Sequence, residues 1–412
     1  MRSPVIPVIA DLIRAHPGTI SLGQGVVGYG PPAQAAAAIG RFLADPLNHR
    51  YQAVGGIPPL IEALTRWMAT EHGVRVGAEH VNRLMVTAGG NNAFLAAVLA
   101  IADPGDEVIL PAPYYFNHEM AVTMADCRPV PVPTDSAHQL DLATIRAAIT
   151  PRTRAIVTVS PNNPTGAVYP AATLRAVNAL CAERGIFHLS DEAYAPFTWD
   201  GAEHFSPASL PGAAGHTISL HSMSKAFGFA SWRIGWLVFP APLESALRKV
   251  QDTLVICPPV VSQFAALGAL EAGGDWVRGK VAGIADNRRI LRDALRPLGE
   301  EGRVTAPPAD GAFYFLVRAR STRPALELAE RLVREHGVAV IPGSAFGDMA
   351  GCSLRVAYGS LTPATAAEGV GRLVRGVRAL VGLELKREGV GVRKMNARLP
   401  EGARLRRVNT LG

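Results

Sequence analysis

Apolar residues along this chain recur in two rhythms. Short, nearly continuous apolar runs at residues 84–87, 107–110, 155–159, 186–190, 217–220 and 235–239 are too brief for helices and read as buried strands. Between them lie stretches of helical character, starting at Ala93 and running from about 170 to 184. Strand and helix alternating from Leu84 to Phe239 predict an α/β fold with a mostly parallel sheet covered on both faces. Ahead of this block come a short strand at 20–22 and an alanine-rich helix at 33–43. A helix follows with Leu60, Ile61, Leu64, Trp67 and Met68 on one face. Beyond Pro240 the pattern changes. Helices are expected near 259–272, 275–295, 324–336 and 363–381, with strands at 311–317, 338–341 and 352–358. This mixture reads as a second, smaller α+β domain. After Leu385 apolar periodicity ends, which predicts a disordered tail.

The loops at the strands' C-terminal ends hold the polar residues, where ligands sit in open α/β sheets. Residues 217–220 deliver Ser222, Ser224 and Lys225, and Arg233 follows eight positions later. A lysine between hydroxyls and a guanidinium suits Schiff-base chemistry beside a bound anion. Ser222 and Lys225 also match the Ser-x-x-Lys of penicillin-binding enzymes, but the Ser-Asp-Asn and Lys-Thr-Gly which that reading needs are absent. Ala88-Gly89-Gly90-Asn91-Asn92 turns into a helix whose first N–H groups make a ready anion site. Tyr114 and Tyr115 end another strand, placed either to stack on a flat ring or to pack in the core. Pro161-Asn162-Asn163-Pro164-Thr165-Gly166 forms a stiff loop presenting Asn163. Asp191-Glu192-Ala193-Tyr194 ends the strand at 186–190.

With 412 residues, 48% of them hydrophobic, two domains with sizeable cores are expected. No apolar run reaches a membrane span, and the opening residues do not form a signal peptide. Four dispersed cysteines suit a reducing, cytoplasmic setting. No spacing picks out a metal site. Of the net charge of +7, the stretch from Lys386 to Gly412 carries +6, from eight basic and two acidic residues. The remainder is close to neutral and offers no footprint for nucleic acid.

Taken in order, these motifs make the chain resemble the class I/II aminotransferases, fold-type I enzymes that use pyridoxal 5′-phosphate. The likeness covers residues 15–385 and rests on Asn163-Pro164-Thr165-Gly166, Asp191-Glu192-Ala193-Tyr194, Ser222-Met223-Ser224-Lys225, Arg233-Ile234-Gly235-Trp236 and Leu354-Arg355-Val356-Ala357. It implies a seven-stranded-type sheet in a large cofactor domain at 46–290 and a small domain at 291–385. Residues 1–45 would join the small domain, leaving the basic tail at 386–412. Lys225 would bind the cofactor aldehyde and carry the proton. Asp191 would hold the ring nitrogen, while Tyr194 and Asn163 meet the ring oxygen. Gly89, Gly90, Asn91, Ser222, Ser224 and Arg233 would hold the phosphate, and Tyr115 would stack on the ring, with Tyr114 as second choice. Tyr51 would reach the phosphate of a partner subunit in a homodimer. Arg355, with Gly25 and Asn163, would bind the substrate carboxylate. The implied reaction is ping-pong transfer of an amino group between an amino acid and a 2-oxo acid.

Each residue also has a plain reading on its own: Asp191 could cap a helix, Arg355 pair with a surface acid, and Asn163 brace its turn. Five such coincidences in family order are needed to displace the joint reading. A lyase or decarboxylase on the same site shares nearly all the motifs. A pyridoxal-phosphate-binding regulator would need a DNA-binding domain, for which the first twenty residues leave no room.

Overall fold

The computed structural model describes residues 5–77, 79–349 and 351–395, the stretch from 382 onward as backbone alone. In chain order its strands are β1 (Ile20–Ser21), β2 (Asn82–Thr87), β3 (Glu107–Ala112), β4 (Arg128–Pro133), β5 (Thr153–Val159), β6 (Phe187–Asp191), β7 (Thr217–Ser222), β8 (Gly235–Pro240), β9 (Val304–Thr305), β10 (Tyr314–Ala319), β11 (Val338–Ala339), β12 (Ile341–Pro342) and β13 (Cys352–Ala357). A seven-stranded sheet has the order β2-β8-β7-β6-β5-β3-β4. Only β8 runs against its neighbours, pairing antiparallel with both β2 and β7. The expected mostly parallel sheet is therefore present. Its central strands are largely buried because helices cover both faces.

β4 was not legible in the sequence. Its Arg-Pro-Val-Pro-Val-Pro run argues against a strand, since proline cannot donate to a ladder. The register resolves this. Arg128 N donates to Asp106 O at 2.7 Å and Thr134 N to Ala112 O at 3.3 Å, so the even-numbered residues face β3. Pro129, Pro131 and Pro133 alternate with them and fall on the outer side of this edge strand, where they remove the N–H groups that would recruit another strand.

A second sheet has the order β12-β13-β10-β9, and β1 pairs parallel with β11, with Ile20 opposite Val338. The single strand expected at 338–341 is thus two. Their partners differ, β1 for one and β13 for the other, so the ladder breaks between them at Val340. Helix Val5–Ala15 packs on helix Ala325–His336, while helix Ala33–Ala44 packs on Val260–Glu271. Helix Glu244–Val255 escaped the pattern because one of its buried positions is polar. Gln251 turns inward and its Nε2 donates to the backbone O of Val86 at 2.8 Å.

Helix Pro363–Met395 runs beyond the expected end at Val381 and through the first ten residues of the segment expected to be disordered. Those residues contain no proline and several strong helix formers, including Glu388, Arg393 and Lys394, which continue a turn already propagating. The rest of that expectation, 396–412, lies outside the described residues. Among the described residues no single helix is long and apolar enough to cross a membrane.

Candidate active site

The antiparallel pairing of β8 with both β2 and β7 builds an anion cradle. Thr87 and Ser222, ending β2 and β7, both pair with Gly235. After Thr87 the chain turns at Gly89, with φ of 83°, into helix Gly90–Ile101. A side chain there is excluded: a Cβ on Gly89 would lie 2.3 Å from Arg233 Nη2. Arg233 itself has φ of 57° and donates from Nη1 to Ala230 O at 2.8 Å. Ser222 Oγ accepts from Ser224 N at 3.1 Å and donates to Ser224 Oγ at 2.9 Å. Free helix N–H groups, two hydroxyls and a guanidinium therefore surround one space. That donor set fits a phosphate.

Lys225 lies beside the cradle. Its Nζ donates to the carbonyl of Gly25 across 200 residues of chain, and Tyr29 Oη donates to the Lys225 carbonyl at 3.0 Å. Burial, followed by the positive charges of Arg355 and Arg233, pushes the amine down to about 8, while Asp191 pulls the other way. An amine held that low is half neutral near pH 8 and can act as nucleophile or base.

Asp191 ends β6, where Oδ1 accepts from Ala193 N at 3.0 Å and Oδ2 faces His118 Nε2 at 3.1 Å. His118 is stacked on Phe94, ring centres 3.9 Å apart, so its imidazole holds the carboxylate at a set angle. Asn163 Nδ2 donates to Tyr194 Oη at 3.1 Å, and that oxygen lies 2.7 Å from Tyr314 Oη. Burial and the neighbouring Tyr314 push the Tyr194 phenol well up. Burial pushes Tyr314 up to about 12. Both phenols are neutral donors at physiological pH.

Arg355, in β13, is 3% exposed. Its guanidinium lies over the rings of Tyr314 and Phe346 at 4.6 and 4.8 Å. Nη1 donates to Asn163 Oδ1 at 2.9 Å and Nη2 to Gly23 O at 2.8 Å, but the buried Nε has no partner. An unpaired donor on a buried cation is an open position for an anion. Gly25 borders it, since a Cβ there would come within 3.7 Å of Arg355 Nη2.

Most of the residues picked from the sequence thus converge. Asn91 joins through Tyr115, whose Oη accepts from Asn117 at 2.8 Å and donates to Asn91 Oδ1 at 3.3 Å. Tyr114 turns to Gly347, where a Cβ would strike its ring at 2.5 Å. Tyr51 is 79% exposed and takes part in none of these contacts. Sequence reading missed His118, Tyr314 and Tyr29. None lies in a recognised motif, and each is brought to the site only by the tertiary fold. A cavity of about 1490 Å³ lies elsewhere, lined by Asp135, His138, Arg292, Glu300 and Arg318 among others, and includes none of these residues.

Residues 17–373 match the family model for aminotransferase class I and II. The chain belongs to this family. It is a fold-type I transaminase that exchanges an amino group between amino acids and 2-oxo acids, and its family consists of pyridoxal phosphate enzymes. This aminotransferase is 31% identical to an aromatic aminotransferase of Arabidopsis thaliana, over 92% of this chain and 94% of the relative. It is 36% identical to the aspartate/prephenate aminotransferase of Thermus thermophilus, over 82% and 86%. The structure of aspartate aminotransferase from Thermus thermophilus with maleate superposes with a TM-score of 0.83 at 33% identity, covering 91% of this chain and 97% of that one.

Proposed function

We propose that this aminotransferase holds pyridoxal 5′-phosphate in the cradle of Gly89, Gly90, Asn91, Ser222, Ser224 and Arg233, with Lys225 as the amine that binds it and moves the proton. When bound, the cofactor supplies an aldehyde for amine exchange and a ring that accepts the electron pair left at the substrate's α-carbon. Lys225 Nζ, freed by the incoming amine, would take the α-proton and return it to the carbon on the far side of the substrate nitrogen. Asp191 keeps a proton on the ring nitrogen, and His118 positions that carboxylate. Tyr194, a neutral phenol braced by Tyr314 and Asn163, donates to the ring oxygen. Tyr115 stacks on the ring. Arg355 takes the substrate's α-carboxylate with its free N–H groups, bordered by Gly25. The observation that carries this reading is Lys225, a buried amine lowered to about 8 between an anion cradle and a half-satisfied arginine.

Residues 46–290 act in this reading as the cofactor domain and 291–385 as the small domain, joined by the first 45 residues. The β1–β11 pairing supports the last point for the start of the chain, whereas helix Ala33–Ala44 packs on helix Val260–Glu271 of the cofactor domain. Tyr51, exposed here, serves the phosphate of the second subunit of a homodimer. The preferred amino donor carries an aromatic or apolar side chain. The relatives' names include aspartate, aromatic and arginine substrates, and the neutral Asn91 with the aromatic walls Tyr314 and Phe346 favours the aromatic group.

Borohydride reduction of the purified holoenzyme followed by peptide mapping tests the assignment. Label on Lys225, with loss of the cofactor's visible band when amino acid is added without acceptor, is expected. Label on another lysine overturns it. Ammonia with pyruvate, in place of a 2-oxo acid matching the donor, would reassign the chemistry to elimination.

A further inference from the structure

Behind the Asp191 loop lies a cluster that the transamination chemistry does not use. Glu192, the next residue after Asp191, is fully buried, and three imidazoles surround it. His204 Nε2 is 3.0 Å and His72 Nδ1 3.7 Å from the same carboxylate oxygen, Glu192 Oε2. The other oxygen, Oε1, accepts from Ser206 Oγ at 2.9 Å. His221, in β7, packs its ring 4.8 Å from that of His72. One ligand atom from each of His72, Glu192 and His221 lies within 4.8 Å of the others. His72 and His204 each have a buried Nδ1 without a hydrogen-bond partner, and the His72 side chain is 8% exposed.

We infer that His72, Glu192 and His221 form a binding site for a divalent transition metal of the zinc class, with His204 bracing the Glu192 carboxylate. Two imidazoles and one carboxylate with an open fourth position suit a tetrahedral centre of this kind, whereas hard cations such as magnesium prefer oxygen ligands throughout. A triangle of side 4.8 Å has its centre about 2.8 Å from each corner, so bonds of about 2.0–2.1 Å need each ligand atom to move inward by less than about 1 Å.

The ion joins parts of the chain that are otherwise distant. His72 is the last residue of helix Pro58–His72, ended by Gly73 in the left-handed conformation with φ of 65°. Glu192 follows β6 and donates its N–H to Leu220 O at 2.8 Å, and His221 is two positions before the N-terminal residue of the short helix bearing Lys225. The metal is therefore a clamp behind the loop that positions Asp191, without contact with substrate.

The test uses holoenzyme freed of metal by chelator, dialysed, and titrated with cobalt(II). One ion per chain with the intense visible bands of a tetrahedral centre is expected, displaced by zinc, with a higher midpoint of thermal unfolding. His72→Gln, at a helix end, and Glu192→Gln should each weaken cobalt binding at least tenfold while circular dichroism stays unchanged. Weak octahedral bands only, uptake well below one ion per chain, or unchanged binding in a folded His72→Gln protein would overturn the assignment. If Glu192→Gln fails to fold, the His72→Gln protein decides alone.

Discussion

Replacing Arg355 by methionine tests the carboxylate site in two independent ways. The guanidinium is 3% exposed, so an α-carboxylate bound there without it would be a buried charge lacking its partner. Breaking a buried ion pair from one side costs about 3–5 kcal/mol, and at 1.36 kcal/mol per tenfold this corresponds to about two to nearly four powers of ten in kcat/KM. Arg355 grips the carboxylate before and during the reaction, so most of the loss should fall on KM. Arg355→Lys keeps a charge but not the fork, and should lose roughly 1.5–3 kcal/mol. The second readout is the amine. After burial, Arg355 is the largest influence holding Lys225 down near 8. Its removal should shift the pH dependence of cofactor uptake by the apoprotein upward. Steady-state kinetics with varied amino acid, and uptake rates from pH 6 to 10, measure the two effects. A fall in kcat/KM below fivefold, or a loss confined to kcat, would refute the carboxylate assignment. An unchanged uptake profile would refute the electrostatic coupling.

Lys225→Ala should abolish turnover and the borohydride-fixed label together, as read by activity and mass spectrometry. Gly89→Ala forces a Cβ to 2.3 Å from Arg233 Nη2 at a φ of 83°. Equilibrium dialysis should show cofactor affinity reduced at least tenfold, with the large sheet intact by circular dichroism. In the apoprotein Lys225 titrates near 8 when folded, against 10.5 as its ordinary value. The unfolded chain therefore binds more protons between those pH values, so stability should rise with pH across that window, by about 3 kcal/mol in total. Denaturant unfolding of the apoprotein at pH 7.5 and 10, against Lys225→Met, isolates this contribution. With 2-oxoglutarate as acceptor, phenylalanine, methionine or leucine should exceed aspartate in kcat/KM, since Asn91 offers no charge to a second carboxylate. A tenfold advantage for aspartate, about 1.4 kcal/mol, would defeat that argument.

The residues that do chemistry were legible in the sequence because each requirement is local. A phosphate needs Gly89-Gly90 at a helix start, and the amine needs Ser222, Ser224 and Lys225 directly after a buried strand. Asn163 needs a stiff loop. Such demands leave a residue type at a set place, and apolar periodicity shows which strands those places follow. The supporting residues had no such mark. Tyr314 reaches Tyr194 from 120 positions away, and His118 meets Asp191 only because a single strand, β5, separates β3 from β6 in the sheet. β4 looked unlike a strand until its edge position gave its prolines a side where no N–H is wanted. Gln251 has no apolar mark in the sequence, and only the fold brings a backbone carbonyl of β2 to it inside. The imidazoles at 72, 204 and 221 share no spacing, and only the tertiary structure gathers them around Glu192. Side-chain type and period belong to a segment by itself. Which side chains face one another depends on strand order and helix packing, which are settled by the whole chain burying its apolar surface at once.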